Sequence, residues 1–379
     1  VSRILYQNIK GRQISRHSYS GGLDFNCPKK YFWKRLQGWV ERDERAALFF
    51  GRAVESAIEF HHNQNFEPGT GVLEFKQLWV REKDNGEITY GEKDGSWEAL
   101  YKCGSELLAL YEIMRPRLPL ENAKFQQEII TPLFPGTDYE GLEHTAKLDI
   151  VAEPRWDHPL LPKIPKNGKT RKVIWDLKTS GARYFSDARL CSLDRQLREY
   201  SWATGIETVG FIVLVKNITE PATGHYVTLL ENFAGLEAGE SYIILDVDES
   251  FMILLNSKAE YAEYRRREGE IKGKGATAAK QDLLAEYVFK GFRVPRDLVT
   301  KCSIQFLPAL ISEQARQDAG ENLKKEAIEI ADCNTNGNFP QKSGVRYPHA
   351  TCNVCSHLGL CLQDEKMTRE KLVQISEDF

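Results

Sequence analysis

The spacing of apolar residues changes character near residue 120, and the change divides the chain. Before it the period is helical. Leu48, Ala53, Ala57 and Ile58 fall on one face of a helix predicted over about 44–62, and a second runs from Trp97 to about Arg115, closed by Pro116 and Pro119. At the start, a Ser/Gly turn precedes an aromatic, basic helix. Pro28 suits its first turn, where the missing N–H costs nothing. Residues 65–95 are rich in Gly, Glu and Lys and read as a loop with short strands.

After residue 120 the pattern predicts strands over Gln127–Pro132, His144–Glu153 and Lys172–Thr179, a helix over Asp187–Thr204, and a near-continuous apolar strand over Val209–Lys216 of the kind buried on both faces. Further strands are expected at 224–231 and 241–246, then helices at 249–267, 281–291 and 308–331. Three strands, a helix and another strand make an α/β core with a mixed sheet. The expected organisation is an N-terminal helical region over 1–120, a sheet-bearing core over 121–235 and a C-terminal helical region over 236–379. A basic insertion at 154–172 interrupts the core.

The 379 residues suffice for one large domain or two ordinary ones, and 41% hydrophobic with 28% charged residues fits a globular protein. No apolar run approaches the roughly 20 residues that span a bilayer, and the start lacks an apolar signal core, so neither a membrane nor export is expected. The first residue is Val rather than Met, as in a trimmed chain. A net charge of −3 does not announce a nucleic-acid binder, so any such binding must rest on local patches. Eight cysteines in a chain expected to be cytoplasmic favour metal ligation over disulfides.

Four of those cysteines form a pattern. Cys352, Cys355 and Cys361 supply three thiolates from one short segment, and Cys27 near the other end is the candidate fourth. Spacing alone leaves a four-cysteine zinc and an iron–sulfur cluster both open. Cys103, Cys191, Cys302 and Cys333 are scattered singly and read as small buried hydrophobes. Asp149 ends one predicted strand, and Asp176 and Lys178 lie two apart on another, hence on one face. Paired carboxylates suit Mg²⁺ or Mn²⁺, and an adjacent amine can orient water and offset developing negative charge.

Five segments in order, Phe25-x-Cys27-Pro28-x-x-Tyr31, Lys147-Leu148-Asp149, Trp175-Asp176-Leu177-Lys178-Thr179, Gln196-x-x-x-Tyr200 and Cys352 to Cys361, resemble the PD-(D/E)XK nuclease superfamily, specifically its RecB-type branch with an iron–sulfur cluster. That branch includes the nuclease domains of AddB-type helicase–nucleases, CRISPR adaptation nucleases and phage exonucleases. The resemblance implies a restriction-endonuclease-like mixed sheet flanked by helices, with terminal regions closed by a [4Fe–4S] cluster on Cys27, Cys352, Cys355 and Cys361. It implies metal ligation by Asp149, Asp176 and the carbonyl of Leu177, Lys178 as the catalytic lysine, and Gln196 and Tyr200 near the scissile phosphate. Where the family has a metal-binding His, this chain has Glu55, a harder ligand that suits Mg²⁺ and is carried over as such. Glu128 is a candidate outer acid; His61 and His62 are expected to face solvent.

Lys29, Lys30, Lys34 and Arg35 alternate with Tyr31, Phe32 and Trp33, a mixture suited to phosphate neutralisation and base stacking. Lys163, Lys166, Lys169, Arg171 and Lys172 crowd the insertion and could track a backbone. Arg265, Arg266 and Arg267, among glutamates, read as a solvated face. The expected activity is metal-dependent hydrolysis of DNA, as an exonuclease on ends or single strands, in a prokaryotic or phage-encoded protein of repair, recombination or defence. The competing expectation is a DNA-end-binding or recruitment subunit. No P-loop is present, so unwinding would fall to a helicase supplied in trans.

Overall fold

The computed structural model describes residues 7–9, 12–14, 16–83, 88–90, 95–137, 141–165, 168–181, 187–217, 225–246, 251–255, 257–340, 352 and 355–374. Its centre is a five-stranded mixed sheet. The strands are β1 (Lys124–Pro132), β2 (Glu143–Ala152), β3 (Val173–Ser180), β4 (Thr208–Val215) and β5 (Ser303–Leu310), in spatial order β5-β4-β3-β2-β1. Only the β3–β4 pair is parallel; it needs a crossover, supplied by helix α2 (Arg195–Thr204), the second labelled helix after α1 (Ala46–Asn63). Every residue of β4 is buried, as its unbroken apolar sequence requires of a central strand covered on both faces.

On one face, Trp175, Ile150, Ile212 and Leu214 pack against α1 and the helix Trp97–Met114. On the other, Leu148, Ile174, Phe211 and Val213 pack against Leu197 and Tyr200 of α2. Helix α3 (Glu313–Asn336) covers the far end through Leu323 and Ala327. A second five-stranded sheet, wholly antiparallel, is built from Phe292–Pro295, Phe251–Leu255, Ser241–Asp246, His225–Leu229 and Val299–Thr300. No helix among the described residues is long and apolar enough to cross a membrane.

Several expected elements differ. The stretch 65–95 contains a helix, Thr70–Lys83, because Phe75 and Trp79 are one turn apart and both are driven into the core. The expected helix at 249–267 begins only at Lys258, capped by the Ser257 hydroxyl; Phe251–Leu255 ahead of it is a strand, which a five-residue apolar run does not distinguish from a helical turn. Likewise the helix expected from 308 starts at Glu313 behind the Ser312 cap, and Ser303–Leu310 is the edge strand β5. Asp194 divides the helix expected over 187–204, since its carboxylate accepts the Leu197 N–H at 3.0 Å and caps α2. His61 does not face solvent: it is 2% exposed, with Nδ1 2.9 Å from the Thr70 hydroxyl. His62 is half-buried with Nε2 2.7 Å from the Tyr111 hydroxyl. Burial and the nearby Arg115 push it down to about 3, so it stays neutral.

Gly210 in β4 has a packing reason. A Cβ there would lie 2.6 Å from the Leu307 carbonyl oxygen, 2.6 Å from the Trp175 ring and 2.9 Å from the Pro308 Cα. Two of these three neighbours are backbone atoms and cannot yield. Gly210→Ala is therefore expected to destabilise the fold by about 1–3 kcal/mol, read as a lower urea midpoint; an unchanged midpoint would show that β4 and β5 can separate at little cost.

Candidate active site

Strands β2 and β3 form a fork. They pair only through Ile150↔Trp175, Val151↔Ile174 and Ala152↔Val173, whereas β3 stays paired with β4 along its whole length. Beyond Trp175 the ladder to β2 stops, and the Leu177 N–H turns to the Asp149 carboxylate, Oδ2, at 2.8 Å. Burial in β2 changes face at this point. Ala146 and Leu148 pack on the α2 side, but Ile150 and Ala152 pack on the other, so the irregularity falls at Asp149. Its cross-strand neighbour in β1 is Gln126, between the pairs Phe125↔Ile150 and Gln127↔Leu148, and Gln126 has a left-handed backbone, φ +51°.

Three carboxyl groups gather at the fork. Asp176 is fully buried, and neither of its carboxylate oxygens has a well-formed hydrogen bond. The Lys178 ammonium nonetheless touches Oδ2 as an ion pair. Asp149 lies beside Asp176. Glu55 comes from α1, which passes close over β3, since a Cβ on Gly51 would stand 3.4 Å from the Thr179 hydroxyl. The Gln126 amide donates to Glu55 Oε1.

Burial and the neighbouring Asp149 push Glu55 up to about 7, against the pull of the Gln126 hydrogen bond and of Lys147 and Lys178. Burial also pushes Asp176 up to about 7, with Lys178 opposing and Asp149 adding to the rise. Asp149 is raised by burial, in part offset by the Leu177 N–H and Lys178. Like charges confined in low dielectric leave these groups proton-hungry.

Side chains bridge the fork where the backbone does not. Lys178 Nζ donates to Gln196 Oε1 at 3.3 Å, Gln196 Nε2 donates to the Tyr200 hydroxyl at 2.6 Å, and that hydroxyl donates to the Lys147 carbonyl at 2.9 Å. Gln196 and Tyr200, one turn apart on α2, thus hold the lysine's orientation and tie β3 to β2. Nothing in the local sequence pattern marks Gln126 or the Lys147 carbonyl as a neighbour of the fork. Only the cross-strand position of Gln126 opposite Asp149 could have pointed to it. Glu128 is exposed on β1, opposite Lys147 rather than within the fork.

Oxygen donors of this type suit a hard divalent cation, and the poorly satisfied oxygens of Asp176 are where one would be welcome. Among the described residues, however, no three His, Cys, Asp or Glu side chains are already drawn to ligand-shell spacing.

The terminal regions meet beside the core. Trp39–Glu41 pairs with Leu372–Gln374, the Arg42 N–H donates to the Lys371 carbonyl at 3.0 Å, and His357 Nε2 lies 3.0 Å from the Trp39 carbonyl. This closure brings the thiols of Cys27, Cys352 and Cys355 near enough to Cys361 that, together with burial, they raise its pKa. His357 lies between two of those cysteines in sequence, but its ring nitrogens engage the Trp39 carbonyl and the Ser356 hydroxyl.

The basic residues divide. Lys30, Lys34 and Arg35 converge on buried Asp24, at 3.1, 3.1 and 2.7 Å. Burial alone would raise Asp24; these three cations outweigh it and hold the carboxyl below its ordinary range. Lys29 lies over the Phe32 and Trp33 rings at 5.2 and 5.1 Å. Arg171 is buried, donating to the Pro162 carbonyl at 2.8 Å, while Lys163, Lys169 and Lys172 are exposed. Lys166 falls outside the described residues. Arg265, Arg266 and Arg267 pair with Glu268, Glu263 and Glu286.

No protein-family model matches the chain, and no curated protein matches it. Among solved structures, a "Putative exonuclease" from Eubacterium rectale is similar over 89% of this chain and 88% of that one, at 16% identity and TM-score 0.42. The protein SSO0001 is similar over 49% of this chain and 69% of that one, at 13% identity and TM-score 0.18. Neither likeness is close enough to carry an argument about function.

The raised carboxyls make stability depend on pH in a definite direction. Between the ordinary carboxyl range and about 7, the folded protein holds protons on these acids that the unfolded chain has released, so their contribution to stability falls as pH rises through that window. Buried His62 and His144, pushed down to about 3, act in the opposite direction, because the unfolded chain binds protons there that the folded protein does not. The test is therefore a difference: from about pH 5 to about pH 8 the urea midpoint of Glu55→Gln, which has no proton to lose, is expected to gain on that of the wild type. A gap between the two proteins that stays constant with pH would contradict the proton held by Glu55.

Proposed function

We propose that the protein is a metal-dependent DNA nuclease of PD-(D/E)XK type. The observation that carries the reading is the fork itself, with Asp149 neighbouring both Asp176 and Glu55 and Lys178 held beside Asp176 by Gln196. Glu55, Asp149, Asp176 and the Leu177 carbonyl would hold Mg²⁺ or Mn²⁺. When bound, the ion would supply Lewis-acid stabilisation of charge on the phosphate.

The protein's own residues do the rest. Hydrolysis adds water across one phosphodiester P–O bond, leaving a phosphate monoester and a hydroxyl. Lys178 is 31% exposed at its side chain, so its ammonium can meet a phosphate from the solvent side while Asp176 and Gln196 fix its direction. Exposed Lys163 and Lys169, on the segment that joins the paired ends of β2 and β3, would add phosphate contacts outside the fork, with the affinity falling as salt rises. The substrate class is DNA ends or single strands.

Cys27, Cys352, Cys355 and Cys361 would hold a [4Fe–4S] cluster whose role is structural. Its support is the neighbourhood of four thiols at the meeting of the chain ends, a soft donor set for iron or zinc.

Two experiments test the proposal. Lys178→Ala and Asp176→Ala should lower Mg²⁺- or Mn²⁺-dependent cleavage of labelled single- and double-stranded DNA by roughly 100-fold or more, with the fold intact by circular dichroism. Equal cleavage by these variants would place the activity elsewhere. For the cysteines, the wild type should carry iron and acid-labile sulfide, and Cys27→Ser should lose both while its terminal segments become protease-sensitive. Stoichiometric zinc without sulfide would replace the cluster with a zinc site.

A further inference from the structure

Two of the cysteines that the sequence shows as scattered are in contact. Cys103, on the helix Trp97–Met114, and Cys302, one residue before β5, have their sulfurs 3.8 Å apart across 199 positions of sequence. Cys302 is 2% exposed and Cys103 is half-buried, so a solvent-borne reagent reaches Cys103 first. The surroundings fix both partners. The Thr300 hydroxyl donates to Glu106, three residues along the same helix from Cys103, and accepts the Cys302 N–H at 3.1 Å. The Cys302 sulfur also lies 3.6 Å from the Lys216 carbonyl.

We propose that Cys103 and Cys302 are a redox-active thiol pair that a peroxide converts to an intramolecular disulfide, clamping the helix Trp97–Met114 to the edge of the central sheet. The sulfurs must close from 3.8 Å to about 2.05 Å. The proton distribution fits the order of events. The Cys302 thiol, raised chiefly by its hydrogen bond to Cys103 and by burial, keeps its proton. Cys103 is lowered by that same bond and by Lys216, against the opposing effects of burial and Glu106, and as the more exposed sulfur it is the one assigned the first attack.

The Cys103 thiolate attacks one peroxide oxygen and the O–O bond breaks. The departing hydroxide takes up a proton and leaves as water, and Cys103 becomes a sulfenic acid. The Cys302 sulfur then attacks the Cys103 sulfur, and the displaced hydroxyl leaves with the Cys302 proton as a second water. Two electrons pass from the two thiols to the peroxide.

The test uses the full chain with an equimolar dose of hydrogen peroxide, followed by thiol blocking, non-reducing digestion and mass spectrometry. Mapping is needed because the terminal cysteines also oxidise. The expected product is a peptide pair joining Cys103 to Cys302 that reductant releases and that Cys103→Ser lacks. Recovery of Cys103 as a sulfinic acid, or of both residues as free thiols, overturns the proposal. A second readout avoids reliance on the buried position: the shift in unfolding temperature on oxidation should be several degrees more positive in the wild type than in Cys103→Ser, the terminal cysteines oxidising alike in both. Equal shifts in the two proteins overturn the clamp.

Discussion

The hydrogen bond from the Leu177 N–H to the Asp149 carboxylate replaces a rung of the β2–β3 ladder, and the candidate site follows from that replacement. An edge of unpaired backbone inside a sheet is costly unless its polar groups find partners. Here a side chain supplies the partner, so the two strands can diverge without leaving the amide orphaned. The divergence opens room between them for Asp176 and Lys178. The relay from Lys178 through Gln196 and Tyr200 to the Lys147 carbonyl then spans the gap with side chains. Sheet continuity is exchanged for a cleft whose two walls remain tied.

Electrostatics sharpen the consequence. Packing Glu55, Asp149 and Asp176 together is unfavourable as three anions, and burial makes it more so. Two lysines, Lys178 and Lys147, cannot offset three buried carboxylates, and Lys178 is committed to Asp176 first. Proton uptake relieves the strain near neutral pH. A divalent cation would relieve it more completely, because it meets several oxygens at once where a proton meets one or two. Such a grouping of acids is a poor stabiliser of the fold, which is the usual condition of residues kept for their chemistry rather than for packing.

Much of the central sheet was legible from period and composition. The all-apolar run of β4 and the alternation in β2 can be explained only as strands in a layered core, and Asp176 and Lys178 two apart on β3 had to share a face. Other features were not legible, for physical reasons. The change of face at Asp149 is invisible to a strict period of two, because it arises from an irregularity shared by β1 and β2. Gln126 looks like any polar strand residue until its partner across the sheet is known. Phe251–Leu255 and Ser303–Leu310 are too short or too mixed for local pattern to outweigh the helices that follow them. The contact between Cys103 and Cys302 joins segments 199 residues apart, and no local signal encodes it.

The closure of the chain ends poses the converse problem, since its backbone component is slight. A two-stranded pairing of three residues, Trp39–Glu41 with Leu372–Gln374, is marginal in water without further support. The His357 to Trp39 contact and the ion-paired Asp24 cluster add support from either side, yet both are small interactions. The same segments bring four thiols together, a grouping that gains little as a hydrophobic contact and in which each thiolate would repel the rest. Such a grouping is hard to explain as packing. Under the proposed function, a soft metal centre at those thiols would supply the binding free energy that the short strands lack, and ligation and terminal folding would then be a single event.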